Sequence, residues 1–145
     1  MTRKLLLTAL AALAACSQQP APPDIVISDV WARAVAPGQT TGAAYMTIAN
    51  NGEAADRLLS AKASISPMSS LHTTRTANGI TSMEPVASLE IPAKGAIKLA
   101  PGGTHLMIMN LSVPMSAGDR FFVDFKFEKS GNKTVAGKIV AAGSR

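Results

Sequence analysis

The sequence predicts an all-β domain, either an antiparallel β-sandwich or a small barrel. After residue 24 the chain consists of short stretches in which apolar and polar residues alternate, and Gly, Pro and Asn separate these stretches at short intervals. No stretch keeps a helical period for about a dozen residues, which argues against a helical bundle. A chain of 145 residues is long enough to bury one hydrophobic core.

Ten stretches are candidate strands, separated by turn residues such as those at 50–52, 78–79 and 101–103. In chain order the candidates are 25–34, 43–49, 57–64, 69–77, 80–86, 87–91, 96–99, 104–111, 120–128 and 134–140. The segment 120–128 has the clearest alternation and is the predicted core strand. On one of its faces lie Phe121, Val123, Phe125 and Phe127. The last segment contains Gly137, which we expect to weaken it.

The first residues have the layout of a secretory signal that ends at Cys16. Arg3 and Lys4 give a positive start, and the apolar run from 5 to 15 is too short to be a transmembrane helix. Small residues directly before the cysteine resemble a bacterial lipoprotein signal, in which the cysteine sulfur receives a diacylglyceryl group. The alternative is that Cys16 is a free thiol in an uncleaved leader.

This pattern divides the chain into three parts. We expect a lipoprotein signal peptide at 1–15, a lipidated Cys16 with a proline-rich tether over 16–24, and one domain over 25–145. The domain would then face the periplasm, held at a membrane by its lipid. Ser17 slightly favours sorting to the outer membrane, but the residues leave inner and outer membrane open.

The charge pattern gives little sign of a charged partner. Of the 14 Lys and Arg residues, two lie in the leader, so 12 remain against 9 Asp and Glu. The remaining lysines are scattered, without the clusters and interleaved aromatic residues of a nucleic-acid surface. We therefore expect no nucleic-acid partner. We also expect the domain to be a monomer.

The residues with the most distinctive chemistry are His72, Met83, His105 and Met107. They include both histidines of the chain, and their donors are neutral nitrogen and sulfur atoms. Such donors suit Cu(I) better than Mg²⁺, Ca²⁺ or structural Zn²⁺. The sequence therefore makes these four residues a candidate Cu(I) site.

Strand geometry allows the four side chains to meet. If Asn78-Gly79 closes a two-residue hairpin, Met83 lies opposite Thr74, and His72 and Met83 share one face. His105 and Met107 are two residues apart in a strand pattern, so they also share a face. Each residue taken alone has a simpler interpretation, because Met107 could fill the core, His72 could lie on the surface and His105 could cap the glycine turn.

Other methionines and aromatic residues have weaker claims to a role. Met109 shares the predicted face of Met107, while Met68 and Met115 are predicted to lie in flanking loops. These three could assist copper binding or simply pack. Three further large side chains are predicted to be core or rim residues without a function, namely Trp31, Tyr45 and Met46.

The order His72, ten residues, Met83, twenty-one residues, His105, one residue, Met107 resembles the motif of the periplasmic PCu(A)C copper chaperones. The resemblance covers about residues 30–140. It also includes 43–48, Asn50, 91–93, Leu99, 101–107, Leu111 and 118–119. It implies a cupredoxin-like β-barrel that binds one Cu(I) through these four residues. Some family members have a His/Met-rich C-terminal tail, which this sequence does not show.

The resemblance also implies a function and partners. Family members pass copper toward cytochrome c oxidase, often beside a Sco-type partner. We interpret the chain as a non-enzymatic lipoprotein chaperone that transfers Cu(I) by ligand exchange to a copper-accepting protein. The alternatives are a lipoprotein that captures and buffers copper, and a structural β-sandwich lipoprotein without metal. A type-1 electron-transfer site is disfavoured because the predicted mature domain lacks a cysteine ligand.

Overall fold

Ten β-strands build the domain in a computed structural model that describes residues 19–145. The predicted signal peptide and Cys16 lie outside these residues. The strands are β1 (Ile25–Arg33), β2 (Gly42–Asn50), β3 (Asp56–Ala63), β4 (Met68–Ala77), β5 (Ile80–Pro85), β6 (Leu89–Ile91), β7 (Gly95–Leu99), β8 (Thr104–Met109), β9 (Arg120–Phe127) and β10 (Asn132–Val140). Every predicted strand is present, with ends that differ by at most two residues. Within 19–145, no helix is long and apolar enough to cross a membrane.

The strands form one sheet in the order β5-β4-β8-β2-β1-β10-β9-β3-β6, and β7 pairs with β2 beside β8. All neighbouring pairs are antiparallel except β1 with β10, which run parallel. The sheet curls so that β3 approaches β4, where the Ala63 amide donates a hydrogen bond to Ser69 Oγ at 3.2 Å. Its inner face encloses a single core, and the all-β prediction is confirmed.

The predicted core strand is confirmed as β9. Its buried residues alternate with exposed ones along the whole strand, as expected for a sheet with one face on the core. Gly137 in β10 lies opposite Phe121, and a Cβ atom at this position would come within 2.7 Å of the Phe121 ring. Gly137 therefore makes room for the core ring inside a continuous strand and does not interrupt β10.

Buried Asn50 holds the start of β1 against the end of β2. Its Oδ1 accepts hydrogen bonds from the amides of Asp24 at 3.1 Å and Gly52 at 3.0 Å, and its Nδ2 donates to the Ala54 carbonyl at 2.8 Å. A Cβ atom on Gly52 would collide with the backbone of residues 22–24. The last residues of the predicted tether are therefore packed on the domain.

Asp56 connects the start of β3 to the turn between β9 and β10. Its buried carboxylate accepts hydrogen bonds from the amides of Arg57 at 2.7 Å, Lys129 at 2.9 Å and Ser130 at 3.0 Å. Burial alone would raise the pKa of this carboxyl group. The hydrogen bonds from Ser130, Lys129 and Arg57 outweigh that effect and hold the pKa below its ordinary value.

We expect Asp56→Asn to lower the free energy of unfolding by about 1–3 kcal/mol near neutral pH, because it removes a charged acceptor of three amide hydrogen bonds. Since the folded-state pKa is depressed, the stabilisation is present above the unfolded-state pKa and is lost as the pH falls through the folded-state pKa. Urea unfolding at several pH values measures this, with exposed Asp119→Asn as the control. An equal loss in the control, or a difference that persists at acid pH, would contradict the prediction.

Candidate metal centre

The hairpin of β4 and β5 adopts the predicted register. Asn78 and Gly79 both have positive φ, at 52° and 76°, as a type I′ turn requires. His72 lies opposite Pro85, and Thr74 lies opposite Met83. His72 and Met83 are therefore diagonal neighbours on one face of the hairpin.

The pairing of β4 with β8 brings the second pair of residues to the same face. His72 lies directly opposite His105, and Ser70 lies opposite Met107. The residues between them, such as Leu71 and Leu106, point into the core. All four predicted site residues thus lie on the outer face of three adjacent strands, β5, β4 and β8.

The four side chains are also close in space. The rings of His72 and His105 are stacked with a centroid separation of 6.2 Å and an interplanar angle of 20°. Met83, His105 and Met107 line one surface pocket of about 260 Å³. His72 does not line this pocket but adjoins it through the ring of His105. The structure therefore brings together both histidines and both methionines of the predicted set.

Exposure differs strongly among the four residues. His105 is 5% exposed, although it lies on the outer face, whereas Met83 on the edge strand β5 is 58% exposed. His72 and Met107 are half-buried. The candidate set thus has one side chain held inside the fold and one at the solvent.

Hydrogen bonds orient both imidazole rings. Nδ1 of His105 lies 3.1 Å from the Gly103 carbonyl oxygen. Because a carbonyl oxygen only accepts, Nδ1 carries the proton and Nε2 is left with a free lone pair. Nδ1 of His72 lies 3.3 Å from Ser70 Oγ and 3.4 Å from the Ser70 carbonyl oxygen. A backbone acceptor at Nδ1 is the usual partner of a metal-binding histidine.

The pocket has a second wall that sequence reasoning missed. Tyr45 and Arg33 line it, and the Tyr45 ring packs against Trp31 with a centroid separation of 4.6 Å. The prediction assigned Tyr45 and Trp31 only to the core or rim. The signal was present in the alternation of β2, which turns Ala44 and Met46 inward and Tyr45 outward. The alternation of β2 alone did not show which strands lie beside it.

The three additional methionines have different positions. Met109 lies on the Met107 face of β8, as predicted. Met68 was wrongly predicted to lie in a loop, because β4 begins one residue earlier than expected and Met68 pairs with Met109. Met115 is fully buried in the core and packs against Gly42. Its buried thioether is therefore a packing group.

The donor set contains no charged ligand. Within residues 19–145, no group of three or more His, Cys, Asp or Glu side chains is placed to hold a metal ion. The nearest acidic residue along β5 is Glu84, which forms an exposed ion pair with Arg75 at 3.1 Å. Neutral imidazoles and thioethers favour a soft monovalent cation.

Comparisons with known proteins identify relatives over most of the domain. A family model described as "Putative lipoprotein LpqE-like" matches residues 25–139. The "Putative lipoprotein Lxx21020" of Leifsonia xyli subsp. xyli (strain CTCB07) is 34% identical over 113 residues, which cover 77% of this chain and 67% of the relative.

Solved structures share the fold. The solution structure of CuI-DR1885 from Deinococcus radiodurans is 31% identical, with a TM-score of 0.65 over 90% of this chain and 85% of that one. The copper-bound PCuAC domain from PmoF2 is 24% identical, with a TM-score of 0.69 over 85% of this chain and 98% of that domain. The predicted cupredoxin-like β fold is thereby confirmed.

The hydrogen bond to Gly103 predicts which ring nitrogen of His105 carries the proton. In the metal-free protein, at a pH where the ring is neutral, we expect the proton on Nδ1 and an unprotonated Nε2. Long-range ¹H–¹⁵N correlation spectra of the imidazole ring distinguish the two tautomers. His105→Ala identifies the signals by their loss, and a ring protonated on Nε2 would contradict the prediction.

Proposed function

This chain belongs to the LpqE-like lipoprotein family, and from that premise we propose that it is a copper chaperone. It binds one Cu(I) through His72, Met83, His105 and Met107 and transfers it by ligand exchange. The observation that carries the proposal is the convergence of these neutral donors on one outer face, where both histidines stack and three of the residues share a pocket.

The comparisons support copper as the cargo. One relative at 31% identity was solved with Cu(I), and its structure corresponds to 90% of this chain. Thioether sulfur is a soft ligand that stabilises Cu(I), and its weak affinity for hard cations disfavours Mg²⁺ and Ca²⁺. The chemistry of the donor set and the fold comparison therefore lead independently to the same ion.

The exposure of the donors suggests an order of exchange. His105 is held by the Gly103 carbonyl and is almost fully buried, so it is the ligand best placed to retain the ion. Met83 lies on an edge strand paired only with β4 and is the most exposed of the four. A partner ligand would first displace the Met83 thioether. Because the site has no thiolate, an acceptor with cysteine ligands can remove the ion.

The predicted signal peptide and Cys16 bear on where the protein works. We propose that residues 1–15 are removed, that Cys16 carries lipid, and that the domain over 25–145 works on the periplasmic side of a membrane. Because residues 22–24 pack against Gly52, the free tether is shorter than the predicted segment 16–24. At about 3.1 Å per residue in an extended chain, the domain stays within a few tens of ångströms of the lipid.

The recipient we propose is a copper-accepting protein of cytochrome c oxidase assembly, either an oxidase subunit or a Sco-type partner. The exposed Met83 favours transfer over storage, because a buffer has no need of a ligand at the surface. Copper capture and buffering stays the second candidate. Anaerobic mixing of the Cu(I)-loaded protein with a thiol acceptor tests this, since a storage protein would retain its copper.

We expect His105→Ala and Met83→Leu each to lower Cu(I) affinity at least about tenfold, which corresponds to 1.4 kcal/mol of lost binding free energy. Competition titrations against a chromophoric Cu(I) chelator under anaerobic conditions measure the affinity. Far-UV circular dichroism should be unchanged, because both side chains lie on the outer face of the sheet and not among the inward-facing core residues.

Ile80→Leu is the matched control, since it changes an exposed apolar residue of β5 that is 72% exposed and lies outside the site. Its Cu(I) affinity should equal that of the wild type. Unchanged affinity in both site variants would refute the ligand assignment, and absence of stoichiometric Cu(I) binding in the wild type would refute the chaperone function.

The proposed lipid anchor predicts a change of fractionation. In a bacterium that processes lipoproteins, the wild-type chain should sediment with membranes, whereas Cys16→Ala should not carry the diacylglyceryl group. Metabolic labelling with a fatty acid, followed by fractionation, measures both properties. Label on the Cys16→Ala chain would contradict the assignment.

A further inference from the structure

A second pair of thioethers faces the solvent beside the candidate site. Met68 lies directly opposite Met109 in the ladder between β4 and β8. Going along this ladder, the outward-facing pairs are His72 with His105, then Ser70 with Met107, then Met68 with Met109. The pair therefore continues the same row of soft donors for one step beyond Met107.

The spacing of this pair allows both sulfur atoms to contact one ion. Side chains directly opposite each other in an antiparallel ladder have Cβ atoms about 4.5–5.5 Å apart. Methionine is unbranched and has three rotatable bonds, so two facing thioethers can close on a shared cation. Met107 is two residues from Met109 on the same strand, at roughly 6.6 Å. An ion held by the pair is within one short step of the first site.

Ser66 fixes the backbone of both methionines. The Met68 amide donates a hydrogen bond to Ser66 Oγ at 2.9 Å, and the Ser66 hydroxyl contacts the carbonyl oxygen of Met109. This serine connects the beginning of β4 to the end of β8, where strands usually fray. The two thioethers are thus presented from a fixed pair of strand ends.

Core packing does not explain these two methionines. The inward positions of the same ladder are filled by buried residues such as Leu71, Leu106 and Ile108. Met68 is 49% exposed, and Met109 is half-buried on the outer face. Exposure decreases from Met68 through Met107 to His105, so the row leads from solvent to the buried end of the site.

We propose that Met68 and Met109 form a second, weaker site for a soft monovalent cation, at which Cu(I) docks before it moves to Met107 and the histidines. The inference rests on the proposed function, because it concerns the route of the same cargo. Two thioethers bind more weakly than two thioethers with two imidazoles, so the pair releases the ion to the first site. The movement is ligand exchange, and the oxidation state of copper does not change.

The test uses methionine ε-methyl NMR with Ag(I), a monovalent soft cation that does not change oxidation state under these conditions. We expect the first equivalent to shift the methyl signals of Met83 and Met107, and further equivalents to shift those of Met68 and Met109. Val26→Met is the control, because Val26 is 46% exposed and lies far from the site. Val26 pairs with Ala49 near one end of β2, whereas Met107 pairs with Ala43 near the other end. The lone thioether of this control should not respond at the same Ag(I) concentrations.

The rate of Cu(I) loading gives a second test of the proposed site. Met68→Leu/Met109→Leu should load Cu(I) from a chelate several-fold more slowly than the wild type, whereas Val26→Met should load at the wild-type rate. Shifts at Met68 and Met109 no larger than at the control methionine, or an unchanged loading rate of the double variant, would overturn the second site. If Met83 and Met107 also stay silent, the proposed function fails as well, so the two failures are distinguishable.

Discussion

The register of β4 with its two neighbours is the constraint on which the candidate site depends. β4 pairs with β5 on one edge and with β8 on the other, and in both ladders His72 and its partners face outward. A shift of one residue between β4 and β5 would turn Met83 away from the face of His72, and the same shift between β4 and β8 would turn away both His105 and Met107. The Asn78-Gly79 turn fixes the first register. Burial of Leu71 against the core residues of β8 fixes the second.

The alternation of the sheet separates stability from binding. On β8, Leu106 and Ile108 fill the core, while His105 and Met107 face the pocket. Because the inward-facing side chains stabilise the fold by packing, the outward-facing side chains are available for binding. The same strand therefore gives rigidity to a site whose ligands must exchange. Such a site can form before the ion arrives, without folding coupled to metal binding.

The surroundings of His105 show how a polar ring is accommodated near the core. It is one of three buried polar residues of the described chain, together with Asn50 and Asp56. The side chains of Asn50 and Asp56 accept hydrogen bonds from backbone amides, and Nδ1 of His105 is bonded to the Gly103 carbonyl. Tyr45, whose ring packs against Trp31, lines the pocket together with His105. The hydrogen bond at Nδ1 leaves Nε2 as the ring nitrogen of His105 with a free lone pair.

The sequence alone determined the strands, the core face of β9 and the hairpin register, because these depend on a period of two residues and on turn residues next to each other in the chain. It also determined which residues could share a face, since His105 and Met107 are two apart. It did not determine that β8 lies beside β4, that β1 runs parallel to β10, or that Tyr45 borders the pocket. Those contacts join segments far apart in the chain, and only the packing of the whole sheet selects them. For the same reason Met68 was placed in a loop, whereas the closed fold sets it opposite Met109.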